Sequence, residues 1–138
     1  MPPLTRWFVK TSFIYLALAL VVGLLIEIQS TMRATVPGGL FPVYIHLFVL
    51  GWITQLIFGV AYWMFPKLSV EKPRGSETLG WWTYGLLNIG LLLRAVAEPI
   101  NAIQPSMLSG WTLVISAVSQ FLAGLMFVIN SWGRIKEK

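Results

Sequence analysis

The chain has one histidine, His46, and no cysteine. Without thiols it cannot build disulfides, zinc–thiolate sites or iron–sulfur clusters. A single histidine also excludes an all-histidine metal site made by one copy of the chain. These residue types leave room for one imidazole ligand to a metal. A thioether could second it: Met107 stands near the depth expected for His46 and Met32 in the connection on that side, whereas Met64 lies toward the other end. A negatively charged ligand could meet Arg33 or Arg94.

The elements that position these groups follow from hydropathy. Of 138 residues, 57% are hydrophobic and 11% are charged, against roughly 25% charged in average globular chains. Mean hydropathy is +0.75. This composition rules out a soluble domain, a disordered segment and a nucleic-acid binder, despite a pI near 9.9. Positions 41–66 carry no formal charge, positions 79–93 carry none, and positions 104–135 carry one, at Arg134. A span needs about 20 mostly apolar residues. The expected fold is therefore all-α: a single transmembrane domain over 1–138, an up-down four-helix bundle with spans at about 9–29, 41–65, 78–98 and 107–132.

Local signals mark the breaks. Pro37-Gly38-Gly39 ends the first connection, and Pro42 falls in the first turn of the second helix, where its missing N–H costs little. Pro66 stops that helix. Ser76 is the expected N-cap of the third, with Glu77 favourable beside it. Pro99 and Pro105 are expected to bracket the third connection. Arg6, Lys10, Lys67, Lys72, Arg74, Arg134, Lys136 and Lys138 fall on one side of the spans, and only Arg33 and Arg94 on the other. Positive residues stay inside, so both termini are expected in the cytoplasm of a cell bounded by an inner membrane. The first helix, though charged at its start, is expected to be a retained span.

Small and amide residues predict the packing faces, because lipid supplies little hydrophobic drive between helices. Gly51, Gln55 and Gly59 form one row on the second helix. Thr112, Ser116, Gln120 and Gly124 form another on the fourth. Gln55 and Gln120 both fall near mid-membrane, where an amide pair between helices is expected. At 100° per residue His46 lies opposite the glycine row, heading a stripe of Leu50, Ile53, Ile57, Val60 and Met64. Trp81, Trp82, Trp111 and Trp132 read as interfacial anchors.

The run from His46 to Lys67, HLFVLGWITQLIFGVAYWMFPK, resembles a helix of the catalytic subunit of haem-copper oxidases, especially the cbb-type oxidases and the related nitric oxide reductases. The family pattern is H-x-H, three residues, L-G-W, then F-G, two residues, an aromatic pair and P-[RK]. Leu50-Gly51-Trp52, Phe58-Gly59, Tyr62-Trp63, Pro66 and Lys67 keep that spacing. The chain is also similar to small four-span proteins described as oxidase subunit I-like. The resemblance implies that His46 stands at the low-spin haem ligand, since the first histidine position is Tyr44. The family's copper-site histidines are absent, so oxygen or nitric oxide reduction by this chain alone is not implied, nor is enzymatic activity of its own.

What the resemblance implies is a b-type haem on His46 in an electron-transfer protein. The second ligand could come from His46 of another copy in a homodimer or other homo-oligomer, from Met107, or from no residue, as in a sensor of nitric oxide or oxygen. Arg94 and Arg33 are the expected partners of the haem propionates, and Trp52 could pack beside the ring. Expected partners are the lipid bilayer and respiratory chain components. The alternative function is a cofactor-free accessory subunit of a respiratory membrane complex. Polar groups within the spans are too few to favour a transporter or a four-span glutathione-dependent enzyme.

Overall fold

A computed structural model describes residues 1–32, 38–71 and 73–135. Among them are four long helices and no strand: α1 (Pro3–Met32), α2 (Leu40–Met64), α3 (Glu77–Ile103) and α4 (Met107–Trp132). All four are long and apolar enough to cross a membrane. At 1.5 Å per residue they run about 38–45 Å, longer than the ~30 Å hydrocarbon core. Arg6, Lys10, Lys67, Arg74 and Arg134 gather at one end of the bundle, called here the basic end.

α2 and α4 keep the expected bounds to within one residue, whereas α1 and α3 are longer than the spans expected for them. α1 begins at Pro3 rather than near residue 9, because Arg6 and Lys10 interrupt hydrophobicity without interrupting helix, and proline suits a first helical position. α3 continues through Pro99 to Ile103, so Pro99 lies inside the helix instead of opening the third connection. It falls in the last turns, where losing one backbone donor leaves few bonds downstream to disturb. At the start of α3 the Ser76 hydroxyl accepts from the Leu79 N–H at 3.2 Å, the cap expected there. A capping box between Ser106 and Ser109 starts α4.

The molecule is two helical hairpins laid side by side. In the first, the Gly51–Gln55–Gly59 row of α2 meets α1. A methyl at Gly59 would come within 2.6 Å of the Phe8 Cβ, and one at Gly51 within 2.8 Å of the Tyr15 Cβ. In the second, Gly90 of α3 lets α4 approach until the Ser116 hydroxyl donates to the Gly90 carbonyl at 2.7 Å. The hairpins join through Leu4 beside Gly80, Phe8 edge-on to Tyr84, and Phe58 stacked on Phe127 at 3.8 Å. At the end away from the basic residues, Gly39 (φ 84°) brings the start of α2 against the Glu98 carbonyl; a side chain there would be strained and would clash.

α2 is not α-helical throughout. Leu40–His46 and Gln55–Met64 are α, but Leu47–Thr54 between them is π-helical. Hydrogen bonds that reach five residues back widen the turn, so residues four apart line up instead of drifting around the helix. The burial pattern shows this directly: Val43, Leu47, Gly51, Gln55 and Gly59 are all buried, while Ile45, Val49, Ile53 and Ile57 are all exposed.

Candidate functional site

His46 is the last α-helical residue before the π segment. Its Nδ1 lies 2.7 Å from the Pro42 carbonyl oxygen. A carbonyl only accepts, so Nδ1 carries the proton in the neutral ring and Nε2 presents a lone pair. This is the arrangement of a metal-ligating histidine, whose tautomer and orientation are set by the partner of its other nitrogen. Held this way, the ring has the donor that a haem iron would need, and His46 is the residue that would hold the group.

The π segment changes the face on which His46 stands. Its row is His46, Leu50, Thr54 and Phe58, all half-buried, and the row ends where Phe58 stacks on Phe127 of α4. His46 therefore flanks the buried glycine row on the side of the second hairpin; it does not head an opposite stripe. Ile53 and Ile57, expected in that stripe, belong to the exposed row. The angle of 100° per residue holds for an α-helix and fails across Leu47–Thr54.

Trp52 lies on the other flank, in the row Tyr44, Phe48 and Trp52. There Tyr44 stacks on Phe48 at 5.8 Å and Phe48 meets Trp52 edge-on at 4.8 Å. The structure does not bring Trp52 to the His46 side of the helix. Its Nε1 is buried and has no hydrogen-bond partner.

Arg94 projects between α3 and α4. Its Nη1 donates to Glu98 Oε1 at 2.8 Å, the one ion pair among the described residues, and its Nε lies 3.4 Å from the Ser116 hydroxyl. Both side chains of the pair are mostly covered, 17% and 16% exposed. Because Gly39 abuts Glu98, depth can be counted along both helices. His46 lies about 10 Å in from Gly39, about one turn deeper than Arg94. An ion pair at that depth is costly unless it serves packing or a ligand.

The remaining expected residues are spread out. Met107 opens α4 and is 80% exposed; Met32 is 73% exposed at the end of α1. Arg33 lies outside the described residues. Among the described residues no group of three or more metal-binding side chains exists, so one protomer offers His46 without a second imidazole.

The expected Gln55–Gln120 pair does not form. Gln120 Nε2 donates to Ser116 Oγ at 3.2 Å within α4. Gln55 is fully buried in the α1–α2 seam, and neither atom of its amide finds a partner. The rows face different neighbours, since α2 turns its glycines to α1 while α4 turns its serines to α3.

Sequence reasoning missed Arg134. Only 1% of it is exposed. Its three guanidinium nitrogens donate to the carbonyls of Tyr62, Phe65 and Pro66 at 3.0, 2.7 and 3.1 Å. These are carbonyls left without helical partners where Pro66 ends α2. Burial lowers the Arg134 pKa; Tyr62 opposes that shift and Arg74 adds to it. The signal in the sequence was its isolation as the one charge in 104–135.

Comparison with known proteins leaves these observations to stand alone: the chain matches no family model, no curated protein and no solved structure.

Proposed function

We propose that this multi-pass membrane protein holds a b-type haem on His46 and transfers electrons through it. The observation that supports this reading is the Nδ1 contact to the Pro42 carbonyl, which orients the chain's only imidazole and leaves Nε2 free to bind iron. Bound there, haem would supply a one-electron carrier. The chain's own residues orient the imidazole and cover one side of it with the second hairpin, and Arg94, paired with Glu98 at a depth within about one turn of His46, is the charge that a propionate would meet. A second copy contributing its His46 completes the ligand set in a homodimer. The basic end faces the cytoplasm in this reading, and the membrane is the cell inner membrane.

The test is an absorption spectrum of the purified protein, oxidised and then reduced with dithionite. A Soret band present in the wild type and absent from membrane-inserted His46→Ala is the expected result. Full haem content in His46→Ala overturns the ligand assignment.

One observation favours a second reading, a cofactor-free accessory subunit of a respiratory complex. Five of the residues that carry the oxidase resemblance serve packing here: Gly51 on Tyr15, Gly59 on Phe8, Phe58 on Phe127, and the Tyr62 and Pro66 carbonyls on Arg134. A colourless wild-type protein from haem-replete cells supports that reading over the first.

A further inference from the structure

The first turns of α1 carry two cations that pair with no carboxylate among the described residues. Arg6 and Lys10 are both exposed, and the one ion pair among the described residues is elsewhere. With Pro3 and Trp7 they line a groove of about 210 Å³. Residues four apart on a helix hold their Cβ atoms about 5–6 Å apart, so the two charged groups can converge on one small anion.

The opposite face of the same turns is clamped to the rest of the molecule. Leu4 lies against Gly80, Phe8 against Gly59 and the edge of Tyr84, and the Thr11 hydroxyl is 2.8 Å from that of Tyr84. The cations therefore project from a fixed backbone. Trp7 lies 6.5 Å from the Tyr84 ring, which is 6.0 Å from Trp81, an aromatic belt of the kind that sits at the membrane–water boundary. Beyond Lys10 the same strip of α1 continues as Ile14, Leu18 and Val21, all exposed and apolar.

We propose that Arg6 and Lys10 grip the phosphate of an anionic phospholipid, whose acyl chains lie along Ile14, Leu18 and Val21. The apolar strip running from the cations into the hydrocarbon depth argues for a lipid rather than a free anion. The other basic groove at this end, around Lys67 and Arg74, has Glu71 and the first residue of α3, Glu77, beside it, which offset the charge of those two cations. The site is independent of whether haem is bound.

The experiment places the purified protein in phosphatidylcholine nanodiscs containing spin-labelled phosphatidylglycerol or spin-labelled phosphatidylcholine and measures the motionally restricted fraction of each. The wild type should enrich phosphatidylglycerol over phosphatidylcholine. Arg6→Gln with Lys10→Gln should lower that preference about 25-fold at low salt, at roughly fivefold per basic residue. Lys67→Gln with Arg74→Gln, which removes the same charge, should leave most of it. Equal losses in the two double variants would show a diffuse charge effect and overturn the site. Displacement of the label by millimolar inorganic phosphate would overturn the lipid assignment in favour of a free anion. Circular dichroism of each variant should match the wild type; the Gln pair faces outward, so a misfolded product would contradict the exposed placement on which the site rests.

Discussion

Arg134 grips Tyr62 twice: Nη1 donates to its carbonyl oxygen at 3.0 Å, and the guanidinium carbon sits 5.7 Å from the centre of its ring. With the Phe65 and Pro66 carbonyls, this ties the end of α2 to the second residue past α4. Two helices that scarcely touch along their lengths are thus fastened at the basic end. The positive charge also meets the negative end of the α2 dipole.

Arg134→Ala should cost about 3 kcal/mol, because it leaves three helix-end carbonyls short of a charged donor. Arg134→Lys should recover only part of the loss, since an ammonium lacks the planar fork that spans separate acceptors. Reversible unfolding in mixed detergent micelles measures both.

The glycines separate into packed and open positions. Gly59→Ala should destabilise by about 1–3 kcal/mol, as its methyl would meet the Phe8 Cβ at 2.6 Å and push α1 from α2. Gly85→Ala and Gly110→Ala, with nothing within 4 Å, should be neutral or slightly stabilising by helix propensity. The same unfolding assay distinguishes them.

Gln55→Leu should stabilise the protein by about 1–3 kcal/mol. The amide is fully buried with neither polar atom paired, and burial of an unpaired amide costs about that much. A loss of stability in Gln55→Leu would show that a bound group satisfies the amide in the native protein.

If two His46 rings share one iron, haem content should be one per two chains and the spectrum low-spin in both redox states. One haem per chain would instead direct attention to Met107, and Met107→Ala should then turn the iron high-spin. Pyridine haemochrome analysis against protein concentration gives the ratio. A low-spin haem in every chain that survives removal of both Met107 and Met32 would eliminate both ligand schemes.

Val70 is 98% exposed in the connection at the basic end, and Gln104 lies in the connection at the other. With the basic end inside, Gln104→Cys should react with an impermeant maleimide on intact cells and Val70→Cys only after lysis. The reverse pattern would invert the proposed orientation.

Much of the fold was legible in the sequence because its cause is local. Four long apolar stretches with few charges dictate four helices; Ser76 caps because its side chain reaches a donor three residues on; Gly51 and Gly59 pack closely because they lack a side chain. His46 stood out as the only imidazole. Its hydrogen bond to Pro42 is local too, four residues back on one helix.

What tertiary structure decided is which faces meet. The π segment at Leu47–Thr54 rotates the residues beyond His46 relative to an α-helix, so a fixed angle per residue misplaced Ile53 and Ile57. Gln55 and Gln120 share a depth but face different helices, and depth is all that sequence position reports. Arg134 reads as a surface charge until the chain folds back some 70 residues and offers it three unpaired carbonyls. Such partners are set by the meeting of distant segments, which one-dimensional hydropathy does not encode.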